Sequence, residues 1–396
     1  MNHDHAFPRR AFLLLALLLM VFPLALASGD AALDEKVVKI FKNRKTVGGA
    51  VFAARDGEIL YEYYYGFADK IAKEHVSEET YFKVASVSKM VTGITVMRLW
   101  EQGLLDLDAN LGEILGNPSY NAANPYYPKI PLTVRHLMTH TSSIKANSGF
   151  QKNRALSLML DVKNKRKADF YNEKPGSVYR YSNYGAGIEG CVIEAVTGKR
   201  LSAAAQELLF EPMGIDAAYH PSQLQTPEKI VTTYESDGSI EQTRARRLRD
   251  EYREEPDPDH DYHEGYGSLW IRGRDLCRIG IMLCDGGMLD GQQILQSATV
   301  EEMMSSQEGK GFVTVDSPYG LNIERVSNLL PGRLFYGHQG LANGILCNVY
   351  YDPETRFVFT LVTNGCNSSK EDHIGILSRR LFDLLWSEYG PGGNGI

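Results

Sequence analysis

The stretch Val84-Ala-Ser-Val-Ser-Lys-Met-Val91 decides how the rest of the chain is read. It leads into an apolar run, Thr92 to Trp100, and the run ends at Glu101-Gln102-Gly103. The pattern predicts a buried helix over residues 86–102, closed by Gly103 as a C-terminal cap. Ser86 and Lys89 are three residues apart, so their side chains share one side of that helix. A helix N-terminus also offers unpaired N–H groups and positive partial charge. A nucleophile, a proton acceptor and an oxyanion donor could therefore meet within one turn.

The spacing Ser-x-x-Lys occurs twice, and its surroundings separate the two copies. Ser142 and Lys145 repeat the spacing of Ser86 and Lys89. The second copy follows the polar loop Thr139 to Ser143, and no apolar helix comes after it. Only the copy at Ser86 opens such a helix, so we assign the reactive pair to Ser86 and Lys89.

Composition and charge set broad limits on function. The chain has 396 residues, 43% hydrophobic and 23% charged, with a formal net charge of −7. Its length suits one large domain or two intimate ones, and the missing basic excess argues against nucleic acid as a main partner. Five cysteines without a CxxC do not suggest a zinc site; their odd number leaves at least one free thiol, and we expect most of them to be small core residues.

The first 27 residues are typical of an export signal. Arg9-Arg10 precede an apolar run from Ala11 to Ala27 that ends Ala25-Leu26-Ala27-Ser28. A basic region, an apolar core and a small-x-small ending predict cleavage after Ala27 and a secreted or periplasmic protein. An uncleaved membrane anchor is the alternative. The paired arginines also resemble a twin-arginine signal, although the apolar run favours ordinary secretion. Beyond this segment we expect no contact with a membrane.

Strand patterns lie at both ends of the mature chain and helical patterns lie between them. After a helix over 31–44, residues 47–54 and 57–67 predict two strands; residues 344–351 and 356–363 predict a hairpin, followed by a last helix at about 371–388. The two strand sets should pair in one antiparallel sheet. We therefore expect one domain over residues 28–396, with a sheet part at about 28–103 and 265–396 and a helical part at about 104–264.

Two further motifs carry chemistry. Tyr181-Ser182-Asn183 is the only Tyr-x-Asn in the chain, and His338-Gln339-Gly340 stands just before the closing hairpin. A tyrosine near a Ser–Lys pair can accept or relay a proton, and an asparagine can hold a substrate amide. Gly340 would let an edge strand lie close to a substrate.

Ser-x-x-Lys, Tyr-x-Asn and His-x-Gly in this order resemble the serine β-lactamase-related family, in its class C and D-alanyl-D-alanine carboxypeptidase branch. The resemblance extends over nearly all of residues 30–390 and includes Leu132 to Ser142 and Gly265 to Leu269. It implies an α/β fold of the β-lactamase/transpeptidase type, an antiparallel sheet flanked by helices with an all-helical insertion.

The resemblance also implies a role for each motif residue. Ser86 would be acylated, Lys89 would take its proton or tune the network, and Tyr181 would act as base or as relay to the leaving group. Asn183 would bind the substrate amide, and His338 would hold Tyr181 or a substrate carboxylate. The oxyanion hole would be the N–H groups of Ser86 and Leu341, beside Gly340. No metal or organic cofactor is required.

At two positions the sequence departs from the family pattern in a way that affects the expected substrate. His338 stands where many β-lactamases of this type have lysine, and Gln339 replaces a threonine or serine. Both favour a peptidase or esterase acting on D-amino-acid peptides, including peptidoglycan fragments, or on small esters. A class C-like β-lactamase and a non-catalytic binding or scaffold protein of the same fold are the alternatives. A Ser–His–Asp arrangement through His136 or His140 is disfavoured because the Gly-x-Ser-x-Gly elbow is absent.

Overall fold

The computed structural model describes residues 30–116, 121–146, 153–307 and 319–393. The export signal expected at residues 1–27 lies outside this range. Within it, the strands are β1 Gly48–Arg55, β2 Glu58–Asp69, β3 Glu74–His75, β4 Tyr81–Lys83, β5 Ala217–Ala218, β6 Thr233–Tyr234, β7 Ile240–Gln242, β8 Trp270–Arg272, β9 Met288–Leu289, β10 Gln292–Gln293, β11 Glu324–Val326, β12 Phe335–Ala342, β13 Ile345–Asp352, β14 Phe357–Thr363, β15 Lys370–Glu371 and β16 Ile374–Gly375.

The described residues also contain twelve α-helices. They are α1 Ala31–Asn43, α2 Val87–Glu101, α3 Leu111–Ile114, α4 Val134–Met138, α5 Leu156–Leu160, α6 Asn183–Thr197, α7 Leu201–Ala205, α8 Glu211–Met213, α9 Arg244–Arg247, α10 Gly273–Cys284, α11 Ser297–Met304 and α12 Ile376–Tyr389. A π-helical turn, Gln206–Phe210, joins α7 to α8. No helix in the described residues is both long enough and apolar enough to cross a bilayer.

The main sheet joins the two ends of the chain, as the strand pattern predicts. Its order is β11-β12-β13-β14-β1-β2-β3, and every neighbouring pair is antiparallel. The central contact is between β1 and β14, where Val51 lies opposite Leu361. The expected β-lactamase/transpeptidase-like fold is confirmed. The middle segment is not purely helical, because the short strands β5, β6 and β7 lie within it.

Both faces of the sheet are buried. Phe52 and its alternate neighbours on β1 face α2, α10 and the helical segment, whereas Val51 faces the layer formed by α1 and α12. A strand covered on both faces has no solvent side, which explains why β1 reads as a nearly continuous apolar run. The five cysteines are all buried and unpaired, as expected for small core residues.

Helix α2 is the central helix between the sheet and the helical segment. Almost all of its residues from Val87 to Leu99 are buried, including Thr92 and Thr95, whose hydroxyls bond to backbone carbonyls. The helix begins at the predicted place, and Gly103 follows it with a φ of +69°. Because α2 is enclosed along most of its length, solvent reaches it only near its ends, and the half-buried Ser86 stands at its N-terminal end.

Candidate active site

A strained turn presents Ser86. Strand β4 ends at Lys83, and Ala85 then takes a φ of +46°, a left-handed conformation that costs a residue with a Cβ on the order of 1 kcal/mol or more. Ser86 itself is already helical and stands at the N-cap of α2 without using its hydroxyl as a cap. The hydroxyl is therefore left for another purpose, at the bottom of a cleft of about 700 Å³.

Lys89 lies beneath Ser86 and has no exposed surface. Its Nζ is 2.9 Å from Ser86 Oγ and 2.8 Å from the carbonyl oxygen of Tyr266, and the rings of Tyr181 and Tyr266 lie 5.0 and 5.5 Å away. Burial lowers the pKa of the Lys89 amine to about 7, although the carboxyls of Glu189 and Glu324 oppose this shift. A large share of Lys89 is therefore neutral at neutral pH and able to accept a proton.

Tyr181 also contacts Ser86. Its hydroxyl lies 2.9 Å from Ser86 Oγ, so the serine oxygen stands between an amine and a phenol. Desolvation raises the pKa of Tyr181, and the bond to Ser86 only partly offsets it. The phenol is therefore protonated at neutral pH and donates its hydrogen.

Asn183 begins helix α6, two residues after Tyr181, and lines the same cleft. Ser182 caps the helix by accepting a hydrogen bond from the Gly185 N–H, which fixes the direction in which both neighbours point. The Asn183 Oδ1 atom is buried and has no hydrogen-bond partner among the described residues. It is thus an unsatisfied acceptor beside the cleft.

Strand β12 forms one wall of the cleft. Its neighbour β11 pairs only with Phe335 to Gly337, so the strand edge is open from His338 onward. Gly340 packs against the Ser86 turn: a Cβ there would be 2.3 Å from the carbonyl oxygen of Val84. Only glycine permits this approach.

The edge of β12 also provides a backbone donor. The Gln339 N–H points off the sheet, to the Glu324 carboxylate at 3.1 Å. N–H directions alternate along a strand, so the Leu341 N–H, two residues on, points the same way, into the cleft that Leu341 lines. This arrangement agrees with the expected oxyanion hole, in which Ser86 supplies the other N–H.

The expected position of His338 needs correction. Its side chain shares a strand face with Gly340 and lies under the cleft floor, with no exposed surface. The Tyr319 hydroxyl donates to its Nε2, and its Nδ1 lies 2.7 Å from the Gln339 carbonyl oxygen, which assigns the ring proton to Nδ1. Burial lowers the pKa of His338 to about 3. This neutral imidazole supports Tyr319 and does not meet a substrate carboxylate.

The other histidines near the site have structural contacts. The ring of His140 packs 4.4 Å from that of Tyr181 and 4.8 Å from that of Tyr319, and burial lowers its pKa well below the usual value. His136 closes the capping box of α4 with Thr133. In the described part of the chain, the side chains bonded to Ser86 Oγ are those of Lys89 and Tyr181, so a Ser–His–Asp arrangement has no geometric support.

Several cleft residues have no sequence signal. The half-buried side chain of Glu324, on β11, lines the cleft. Burial raises the pKa of its carboxyl to about 7. Tyr179, Lys370 and His373 line it as well. They come from three separate segments, so no local motif could have identified them together. The described residues contain no cluster of histidine, cysteine and acidic side chains able to hold a metal ion.

Known proteins resemble this chain in sequence and in fold. The family model described as Beta-lactamase matches residues 33–382. The chain is 33% identical over 239 residues to "Esterase EstB" of Burkholderia gladioli, covering 57% of this chain and 59% of that protein. It is 24% identical over 375 residues to "Esterase/beta-lactamase LipL" of Mycobacterium tuberculosis, covering 85% and 82%.

Among solved structures, the octameric penicillin-binding protein homologue from Pyrococcus abyssi is similar with a TM-score of 0.67. The identity is 20%, and the match covers 89% of this chain and 76% of that one. This likeness concerns the fold.

Proposed function

The chain belongs to the Beta-lactamase family, and from this premise we propose that it is a serine hydrolase that cleaves amide or ester bonds through an acyl-Ser86 intermediate. One observation carries the proposal: Ser86 Oγ lies 2.9 Å from both Lys89 Nζ and the Tyr181 hydroxyl at the floor of an open cleft. A nucleophile held between a base and an acid is the arrangement that acyl transfer needs.

Acylation follows from the protonation states of the three groups. The neutral Lys89 amine accepts the proton of Ser86 as Oγ attacks the substrate carbonyl carbon. The carbonyl oxygen becomes an oxyanion between the N–H groups of Ser86 and Leu341, whose loss would raise the barrier by about 3–4 kcal/mol. Tyr181 gives its proton to the leaving amine or alcohol as the C–N or C–O bond breaks. The Lys89 ammonium then returns a proton to the phenolate.

Deacylation uses the same two groups again. Water attacks the ester carbon, and its proton passes to the neutral Lys89 amine. The C–O bond to Ser86 breaks, and the serine oxygen regains a proton. Asn183, which lines the cleft, holds the acyl-side amide during both steps.

The cleft favours small esters and D-amino-acid amides or peptides over efficient β-lactam hydrolysis. His338 is buried and neutral, and Gln339 lacks a hydroxyl, so this part of β12 offers no cation and no hydroxyl to a substrate carboxylate. The Glu324 carboxyl stands nearby instead. EstB, by its name an esterase, points the same way. LipL, named as both esterase and β-lactamase, keeps β-lactam hydrolysis as the second candidate.

A fluorophosphonate probe tests the proposal directly. The mature protein should be labelled at Ser86, and Ser86→Ala should abolish both labelling and ester turnover. Normal turnover by the Ala variant would refute the acyl-Ser86 mechanism. Inertness of the wild type toward all acyl probes would favour the alternative, a non-catalytic protein of the same fold. Comparison of a chromogenic ester with a chromogenic cephalosporin then ranks the two substrate classes.

The site of action is proposed from the N-terminal sequence. The basic and apolar pattern of residues 1–27 supports export, which would bring the cleft to peptidoglycan fragments as D-amino-acid substrates. N-terminal sequencing of the protein from the culture medium or periplasm should begin at Ser28. A protein retained in the membrane with Met1 intact would favour the anchor.

A further inference from the structure

A buried acid lies near Lys89 and is not among the residues that line the cleft. Glu189 is on the second turn of α6 and has no exposed surface. Lys89 and Glu189 are close enough for each to shift the pKa of the other. A carboxyl in a dry interior costs stability unless its hydrogen bonds are made. The acylation chemistry described above does not use it, so its presence there calls for a physical reason.

The partner of Glu189 is Asn322, in the turn before β11. Its Nδ2 donates to Glu189 Oε2, and it too has no exposed surface. Asn322 packs against α2 at Gly93, where a Cβ would be 2.6 Å from the Asn322 Cβ. Gly93 is four residues after Lys89 and so lies on the same face of the helix. The Glu189–Asn322 pair thus lies against the face of α2 that also carries Lys89.

Two acceptor atoms of this pair are left over. Glu189 Oε1 and Asn322 Oδ1 are both buried and have no hydrogen-bond partner among the described residues. Both atoms are acceptors when the carboxyl is ionised, so they cannot satisfy each other. A proton on Oε1 would turn it into a donor. One proton would then satisfy both atoms, because a carboxylic acid and an amide can exchange two opposed hydrogen bonds.

We propose that Glu189 is a neutral carboxylic acid, paired with Asn322 by two opposed hydrogen bonds, and that as a positioning residue it keeps the interior side of Lys89 free of charge. The consequence for Lys89 rests on the proposed hydrolase function. Were Glu189 ionised, it would hold the proton on Lys89 as a buried ion pair, and the ammonium could not accept the proton of Ser86. Burial raises the pKa of Glu189 well above its usual value, in agreement with the neutral form.

Other charged and titratable groups lie around Lys89 and Glu189, and they are left unsubstituted in the tests. Those that influence the pKa of Lys89, or that Lys89 influences, are Glu324, His140 and His338. Those influenced by Glu189 are Tyr219 and Tyr319. The informative substitutions are therefore confined to Glu189 and Asn322.

The first experiment measures stability and needs no activity. Glu189→Gln replaces the acid O–H with an amide N–H and keeps both hydrogen bonds. An acid whose pKa is raised on folding destabilises the protein progressively as pH rises above its unfolded pKa. Between pH 5 and 8, the folded-to-unfolded ratio of the wild type should fall relative to that of the variant by up to about tenfold per pH unit. A pH-independent difference would overturn the proposal.

The second experiment reads the proton directly. Infrared spectra of the folded wild type at pH 8 should contain the carbonyl stretch of a protonated carboxylic acid, and the difference from Glu189→Gln should assign it. Absence of the band from the wild type would overturn the proposal, whether or not the variant folds.

The third experiment connects the pair to Lys89 through the acidic limb of kcat/KM against pH. Glu189→Gln should leave that limb within about 0.3 pH unit of the wild type, because a neutral group replaces a neutral group. Asn322→Asp places a second carboxyl beside the first, one of the two ionises, and the limb should move up by about one unit. A shift of the Glu189→Gln limb to lower pH would mean that Glu189 was ionised. If the wild type has no hydrolase activity, the stability and infrared experiments still decide the protonation state.

Discussion

The Ser-x-x-Lys motif occurs in two regions of the molecule, and its serine and lysine side chains meet in only one of them. At Ser86 and Lys89 the side chains meet, with Nζ 2.9 Å from Oγ. At Ser142 and Lys145 they separate: the lysine Nζ donates to the carbonyl oxygen of Ala168, 3.1 Å away, and lies over the ring of Tyr171. Ser142 Oγ instead accepts from the Ile144 N–H at 3.4 Å.

Backbone conformation explains the difference. Ser86 to Lys89 follow the α2 helix, in which residues three apart share a face. In the second copy Ser143 has a φ of +62°, so the chain turns and the two side chains do not share a face. Exposure differs as well, because Ser86 lines the cleft whereas Ser142 is 1% exposed. A Ser-x-x-Lys motif can be catalytic only when a helix brings the two side chains together and the serine is accessible from a cleft.

The largest expected effect separates the two serines. Ser86→Ala should lower kcat by about 10⁴-fold or more, because the nucleophile is lost and only binding and the oxyanion hole remain. Ser142→Ala should leave kcat within about twofold, since it removes one weak hydrogen bond. Steady-state kinetics on a chromogenic ester measures both. A large loss from Ser142→Ala in a protein of unchanged Tm would mean that the second copy participates.

Substitution of the two lysines should affect the protein differently. Loss of the Lys89 amine should lower kcat but raise the stability of the fold. Lys89→Met should lower kcat by about 10²- to 10⁴-fold, and Lys145→Met should not change it measurably. The pKa of Lys89 in the folded protein is about 7, below its ordinary value of 10.5, so the wild type gains stability as pH rises from 7 to 10.5. Removing the amine should therefore stabilise the protein by roughly 2–4 kcal/mol at pH 6, and by less at pH 10.

Chemical denaturation at the two pH values tests the stability difference. A Lys89→Met variant that is less stable than the wild type at pH 6 would show that the amine stabilises the fold, contrary to the burial argument.

A matched tyrosine accompanies each lysine. Lys89 Nζ lies 5.0 Å from the ring of Tyr181, and Lys145 Nζ lies 5.5 Å from that of Tyr171. Tyr181→Phe keeps the ring but removes the acid, and it should lower kcat by about 10²-fold, with a smaller loss for substrates with a good leaving group. Tyr171→Phe is the control, with no expected change. Equal losses for good and poor leaving groups would argue against Tyr181 as the proton donor.

Local signals made much of this fold predictable from sequence. The start of α2, the Thr133 cap of α4, the left-handed Gly198 that ends α6 and the β13–β14 hairpin each depend on a few adjacent residues. Whether the His338 side chain points into the cleft or beneath it depends on which face of β12 packs against α2, and this is a tertiary contact. Glu324 and the Glu189–Asn322 pair depend on contacts between elements more than 100 residues apart, for which one sequence has no signal.

The smallest expected effect concerns the carboxyl on the cleft side of Lys89. Glu324 favours the charged form of Lys89, and both groups titrate near pH 7, so the acidic limb of kcat/KM belongs to the pair. Glu324→Gln removes the anion. The limb should then sharpen to a single titration and move to lower pH by about half a unit, so that kcat/KM at pH 6 rises about threefold while its plateau is unchanged. Lys145→Met, in the second copy, should leave the limb where it is. A large fall of the plateau, with loss of the acidic limb, in Glu324→Gln would mean that this carboxyl, and not the Lys89 amine, is the group whose deprotonation activates Ser86.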